Sequence, residues 1–559
     1  MTAIGPRRTA AAIADVLGLP SPTAEQVGVI ESPSSPSIVV AGAGSGKTET
    51  MANRAVWLVA NGEAAPAEIL GLTFTRKAAG ELAERVQRRL QDGRAAGILD
   101  TDADDVFDRP TVSTYNSFAD GLFRENALLV GRDPESALLS DAAAWRLARR
   151  VVVEHGDDRL VGIGKSIDKV TEAVVSLSRA LADNIARGDD VRRLVEQFAT
   201  LADLPFGGSK RTPYAQVVEA VDTVSALGPL TDLAERFAEE KRRRGLVEFS
   251  DQVALALAAC ERDPSIVTAM RTRYRAVILD EYQDTSVVQT RLLSLLFADH
   301  SVMAVGDPHQ SIYGWRGASA DNLSRFGTDF ARATPVETYT LSTSWRNDTA
   351  ILDAANALVE PLRGGNGMPV PELVARPGVG TGALTVAYAE DIEEEARRVA
   401  EWMAAVVATG RGADAPPTAA ILFRVRRHMD LFARALGDRG VPHRILGLGG
   451  LLSSPEITDL VSALRVCHDP SAGSALIRVL SGPRWRIGVR DLRELRGLAT
   501  WLERRDVRSS RLSDEVIERI RSSVAADGTV SIVDALDALR DMPDTHVAVA
   551  GFSADGLPR

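Results

Sequence analysis

Cysteine is nearly absent from this sequence: Cys260 and Cys467 are the two in 559 residues, far apart and outside any metal-ligand spacing. That excludes a disulfide framework, a zinc site and an iron–sulfur cluster, and it fits a reducing cytoplasm. Long apolar runs are missing as well. None approaches the ~18–20 residues that span a bilayer, so no membrane partner is expected, and no basic-then-apolar signal segment opens the chain. Positive charge is not in excess: 65 basic residues stand against 76 acidic ones, a net charge of −11. A nucleic acid would have to be held by a local groove rather than by the field of the whole protein. What is present is ordinary for a globular chain, with 45% hydrophobic and 25% charged residues. The length calls for several domains, since single cores rarely grow beyond ~250–300 residues.

The stretch that organises the rest is Ser37–Thr48, SIVVAGAGSGKT. Ile38, Val39 and Val40 read as a buried strand, followed by a loop holding Gly42, Gly44 and Gly46, then Lys47-Thr48 and a helical pattern over Glu49–Val59. This is the phosphate-binding P-loop, in which glycines let backbone N–H groups curl around an anion at a helix N-terminus. Lys47 reaches the β- and γ-phosphates and Thr48 ligates Mg²⁺; Ala41 departs from the general pattern, which has Gly.

A second strand, Ile69–Phe74, runs into a helix beginning near Thr75, which predicts a parallel, doubly wound sheet. Phe74 and Arg76 fall at the strand end where such sheets bind ligands, though a core Phe and a solvated Arg account for them equally well. Upstream, Thr23 and Gln26 have the spacing of a capping box. From about 119 to 245 the pattern is helical, with heptad-like spacing in 141–153 and 169–182, and it ends in Lys241–Arg244, read as a solvated face with a phosphate contact as the alternative. The apolar strand at 275–279 ends in Asp280-Glu281, one carboxylate for the Mg²⁺ shell and one to orient or deprotonate the attacking water. After the strand Val302–Gly306, Gln310 is placed to sense the γ-phosphate, and Tyr313, Trp315 and Arg316 offer stacking planes for single-stranded bases. Residues 338–348 are expected to form a strand leading into a helix at about 349, with further strands at 382–387 and 419–423 and helices again from about 466.

In this order the motifs resemble those of superfamily 1 DNA helicases of the UvrD/Rep/PcrA group, and within it most the actinobacterial AdnB-type helicase–nuclease subunit. AGAGSGKT (Ala41, Gly42, Ala43, Gly44, Ser45, Gly46, Lys47, Thr48) is similar to motif I of that group, where Ala leads; LTFTRKAAGEL (72–82), STYNSF (113–118), VILDEYQDTS (277–286) and VGDPHQSIYGWRGA (305–318) resemble motifs Ia, Ib, II and III. LSTSWRND (341–348) resembles motif IV, GGLLSSPEITDL (449–460) the segment after it, and VEFSD (247–251) the return from an inserted domain.

The resemblance implies an α/β fold of RecA-like P-loop lobes with parallel sheets and inserted α-helical subdomains. Residues 1–115 and 246–335 would form the first lobe, 116–245 its helical insertion, 336–465 the start of a second lobe and 466–559 the start of a second insertion. It implies that Gln26 reads adenine, displacing the capping interpretation, that Arg54 lies near the base or phosphates, that Trp345 stacks on adenine, and that Arg346 is an arginine finger. Phe74, Thr75, Arg76, Thr114, Tyr115 and Asn116 would line the single-strand channel, with Asn116 standing where His is common. Motifs V and VI are absent; Thr545-His546 is followed by VAVAG and does not qualify. The expectation is a C-terminally truncated 3′→5′ helicase or translocase using ATP and Mg²⁺ on single-stranded or partly duplex DNA, partnered by a related helicase–nuclease subunit. The alternative is an ATP- and DNA-binding fragment with little turnover of its own.

Overall fold

The computed structural model describes residues 7–99, 108–155, 160, 165–204, 214–314, 317–318, 321–333, 335–363, 368, 370–409, 417–446, 454–470, 472–503, 531–543, 545–553 and 556. Ten strands are found among them: β1 Ser37–Ala41, β2 Ile69–Thr73, β3 Thr111–Thr114, β4 Ala137–Leu138, β5 Leu246–Val247, β6 Ala276–Leu279, β7 Val302–Gly306, β8 Glu337–Leu341, β9 Thr343–Ser344 and β10 Val374–Ala375. Six form one sheet in the order β3-β2-β6-β7-β1-β8, and every neighbouring pair is parallel. Because all six run the same way, the loops after their carboxyl ends share one edge of the sheet, where ligands bind in open α/β folds.

The period of two along each strand sends alternate side chains to opposite faces, and both faces are covered. Ile38, Leu70, Leu72, Val277 and Leu279 join one core with the helices Tyr115–Glu125, Phe249–Arg262 and Val287–Phe297. Val39, Ala41, Ile69, Ile278, Met303 and Val305 join the other, against Met51, Ala55 and Leu58 of the Lys47–Ala60 helix and Leu82, Val86 and Leu90 of the Arg76–Ala95 helix.

The stretch read as an inserted domain is helical among its described residues, apart from the two-residue strand β4. Its helices Asp141–His155, Ile167–Asp183 and Leu227–Arg243 bury Leu147, Val151, Val174, Leu233 and Phe237 in a separate core. The basic run that ends it is not a bare solvated face. Lys241 is buried, 2.8 Å from Glu248 and 2.7 Å from Asp251, while Arg242 pairs with Glu239, and Arg243 and Arg244 with Glu240.

Two compact units divide the chain at Leu384. The first sheet takes β8 as its edge strand, although the sequence reading starts the second lobe at 336; register places Ile38 against Thr338 and Ala41 against Leu341. In the unit from Thr385, the helix Ile392–Thr409 packs on Met429–Asp438 through Ala400, Met403 and Leu436, and a second core gathers Leu476, Leu495, Leu498 and Leu539. The strands expected at 382–387 and 419–423 do not form there: Val386, Tyr388 and Leu422 are almost fully exposed. A β-propensive run becomes a strand only with a neighbour to complete its hydrogen-bond ladder, and the described residues supply none. Among the described residues no helix is long and apolar enough to cross a membrane.

Candidate functional site

The loop after β1 carries two left-handed glycines, Gly44 at φ 76° and Gly46 at φ 81°. Gly46 is the N-cap of the Lys47–Ala60 helix, so the first, unpaired N–H groups of that helix open into the loop. Space demands glycine as well: a Cβ at Gly44 would lie 2.8 Å from Arg346 Cβ and 2.9 Å from Ser344 Oγ. Ser45 braces the turn by donating from Oγ to the Gly42 carbonyl at 2.8 Å. Lys47 is largely buried; its Nζ lies 3.4 Å from the Ala41 carbonyl and 3.8 Å from Glu281 Oε2.

Across from the lysine, β6 delivers the two carboxylates differently. Asp280 is buried, and its Oδ2 accepts from Thr73 Oγ1 at 3.0 Å. Burial, then the charge of Glu281, push its carboxyl up to about 6. Glu281 has φ 48°, a left-handed conformation rare for a side chain of its size. Holding it there costs on the order of 1–3 kcal/mol, and observed strain of that kind concentrates at functional sites. The twist turns its carboxylate toward Lys47. Gln283, which the sequence reading passed over, ties this turn to the next strand: its Nε2 donates to Glu281 Oε2 at 2.8 Å and its Oε1 accepts from Asp307 N at 3.1 Å. Gln310 in turn donates to Asp307 Oδ2 at 2.7 Å. Its place two residues after Glu281 is the only sequence signal Gln283 has. Among the described residues no three His, Cys, Asp or Glu side chains cluster as metal ligands. The oxygen donors Thr48 and Asp280 fit Mg²⁺, which takes one or two protein ligands and completes its shell with water and substrate phosphate.

Gln26 makes the capping contact that the resemblance had displaced, and its side chain also reaches the glycine loop. Its Oε1 accepts from Thr23 N at 3.0 Å in a complete capping box, while its Nε2 would be 3.0 Å from a Cβ on Gly46. Trp345 is 42% exposed and faces the same glycine, its Cδ1 3.7 Å from that Cβ position. Its backbone N–H donates to the Gly44 carbonyl at 2.8 Å. Arg346 is exposed, with the base of its side chain against Gly44.

Arg54 differs from expectation. It is buried, donating to the Ile30 carbonyl at 2.8 Å and the Pro33 carbonyl at 3.3 Å, with its guanidinium over the Trp57 ring. Desolvation lowers its pKa to about 10. These bonds fix the loop that enters β1 and leave the guanidinium facing protein rather than an incoming base.

Further along the same edge, Phe74 and Tyr313 stack with ring centroids 4.5 Å apart. Thr75 and Thr114 are N-caps, accepting from Ala78 N and Ser117 N, while Arg76 is exposed. Asn116 Oδ1 accepts from Gln289 Nε2 at 2.9 Å. Tyr115 does not line a channel: it is buried, and its hydroxyl donates to the Asp280 carbonyl at 2.7 Å. An aromatic ring at the first turn of a helix packed on the sheet goes into the core, and burial pushes its phenol well above its usual pKa. Trp315, Arg316 and residues 449–453 lie outside the described residues.

Residues 23–331 match the model of the UvrD/REP helicase N-terminal domain, and residues 339–510 that of the UvrD-like helicase C-terminal domain. Similar proteins include the ATP-dependent DNA helicase UvrD1 of Mycobacterium leprae, 27% identical over 82% of this chain and 54% of that protein. DNA helicase II of Escherichia coli is 27% identical over 83% of this chain and 56% of its own length. The ATP-dependent DNA helicase PcrA of Leuconostoc citreum is 26% identical, over 86% and 57%. The chain thus spans little more than half the length of these curated relatives.

Proposed function

Since the chain belongs to the UvrD/REP helicase family, we propose that it acts as an ATP-driven DNA helicase or translocase in DNA repair or recombination, stepping 3′→5′ along single-stranded DNA. The observation that carries this reading is the convergence, on one sheet edge, of the glycine loop with Lys47, the strained Glu281 3.8 Å from it, and the Trp345–Arg346 segment bonded to Gly44. ATP would lie with its base between Gln26 and Trp345 and its phosphates in the loop. Lys47 and the helix N-terminus would draw charge off the β- and γ-phosphates, Glu281 would orient the attacking water, and Arg346 would meet charge developing on the γ-phosphate. Mg²⁺, held by Thr48 and Asp280, would supply further neutralisation of the phosphates.

The chain Glu281–Gln283–Asp307–Gln310 gives the coupling a physical route. It joins the carboxylate beside the nucleotide to the loop that bears Tyr313, stacked on Phe74. A change at the γ-phosphate would be felt at Gln310 and passed to the aromatic pair on which a base could stack. A cytoplasmic setting and a partnership with a related helicase–nuclease subunit, as in the AdnB-type proteins, complete the reading.

The test is Mg²⁺-dependent ATP hydrolysis by the purified chain with and without single-stranded DNA. Stimulation by DNA is the expected result. A chain that binds neither ATP nor DNA overturns the proposal. Binding without stimulated hydrolysis would instead select a second reading, in which the chain binds ATP and DNA with little turnover alone.

A further inference from the structure

The two walls of the base site come from distant parts of the chain, and one carboxylate joins them. Gln26 sits on the short helix Ala24–Ile30, and Trp345 on the segment following β8 and β9. Glu25 Oε2 accepts from Ser342 N at 2.8 Å and its Oε1 from Ser342 Oγ at 2.7 Å, across 317 residues of sequence. Glu25 has no part in the capping box, which Thr23 and Gln26 make between themselves. Both of its oxygens are therefore turned across the gap, and hydrogen bonds to an ionised acceptor are roughly twice as strong as neutral ones. The helix also rests on β8 one turn further on, where a Cβ on Gly28 would meet Tyr339 Cδ1 at 3.8 Å. On the other side, Trp345 N–H holds the Gly44 carbonyl. Gln26, Glu25, Ser342, Trp345 and the glycine loop thus form a closed frame.

We propose that Glu25 is a positioning residue for nucleotide selection: by clamping Ser342 it sets the spacing between the Gln26 carboxamide and the Trp345 indole, and so the fit of the adenine base. The proposal rests on the reading of this site as an ATP site. Glu25 touches the frame rather than the nucleotide, so its loss reaches the base and leaves the phosphate cradle.

The experiment measures binding of ATP, UTP and inorganic tripolyphosphate, each with Mg²⁺, by competition against a fluorescent ATP analogue on the full chain. Glu25→Ala should weaken ATP about tenfold, which is about 1.4 kcal/mol, shrink the preference for ATP over UTP, and leave tripolyphosphate within about twofold. Glu25→Gln, similar in shape and keeping one acceptor, should give an intermediate loss with the fold intact, and it carries the test if the alanine variant does not fold. Ser342→Ala added to Glu25→Ala should cost nothing more. Unchanged ATP affinity, or an equal loss for ATP and tripolyphosphate, overturns the inference; the second result marks a merely structural contact. If the unmutated chain binds no ATP, the functional reading beneath it falls instead.

Discussion

Phe74 and Tyr313 illustrate how much of the site turns on single side chains. Each is half-buried, and together they present a stacked pair at the sheet edge. Phe74→Ala removes one face, and on the proposed function it should weaken single-stranded DNA binding by about 1–3 kcal/mol while leaving ATP affinity nearly unchanged; fluorescence anisotropy with a labelled oligonucleotide checks both. Asp183 is a second case, at the end of the Ile167–Asp183 helix, where a Cβ on Gly317 would come within 3.1 Å of it. Burial, with Asp251 and Glu248 adding repulsion and Arg179 opposing it, pushes its carboxyl up to about 6. The folded chain therefore keeps a proton that the unfolded chain releases at about 3.8, and stability falls as pH rises through that window. Asp183→Asn should raise the melting midpoint by about 2–4 °C above pH 7, for roughly 1 kcal/mol in part-exposed surroundings. The gap should shrink as pH falls below about 6 and close only near 3.8, and thermal melts across pH would expose a constant gap if the charge were irrelevant.

At the scale of elements, the inserted helices are tied to the segment that follows them by a charge cluster whose buried heart is Lys241 with Glu248. Lys241 bonds Glu248 and Asp251, and Arg179 bonds Glu248 and Asp141. Removing one partner of a buried pair leaves the other charge uncompensated. Lys241→Met should therefore cost about 3–5 kcal/mol in a denaturant titration. Arg243→Ala, two residues on, breaks only an exposed pair with Glu240 and should change stability by under about 1 kcal/mol. The run Lys-Arg-Arg-Arg could not reveal this difference. Helical periodicity decides which of four adjacent cations faces inward, and the partners sit in VEFSD, a segment legible only as a motif. Tyr115 and Arg54 tell the same story: the family resemblance implied ligand contact, and packing turned both into the protein.

For the molecule as a whole, charge sets the expected behaviour toward DNA. With a net charge of −11, long-range attraction is unfavourable. Binding should come from local contacts such as Arg76, and should fall with added salt as the entropy gained by releasing counterions shrinks. A titration between about 50 and 200 mM salt checks this, and a flat response would argue against phosphate contacts altogether. The residues proposed to hold the nucleotide all lie in the unit ending at Leu384.

The sequence by itself determined the local elements whose signals are short-range. Glycine spacing and the strand before it specify the P-loop, an apolar run ending in Asp280-Glu281 specifies the acidic turn facing it, and 3.6-residue periodicity specifies the helical insertion. Tertiary structure decided everything that depends on partners distant in the chain. It assigned β8 to the first sheet, withheld strands from 382–387 and 419–423 for want of a ladder partner, and twisted Glu281 toward Lys47. It also brought Glu25 to Ser342. A hydrogen-bond ladder, a buried ion pair and a clamped pocket wall are each properties of two segments at once, and spacing along one segment cannot encode them.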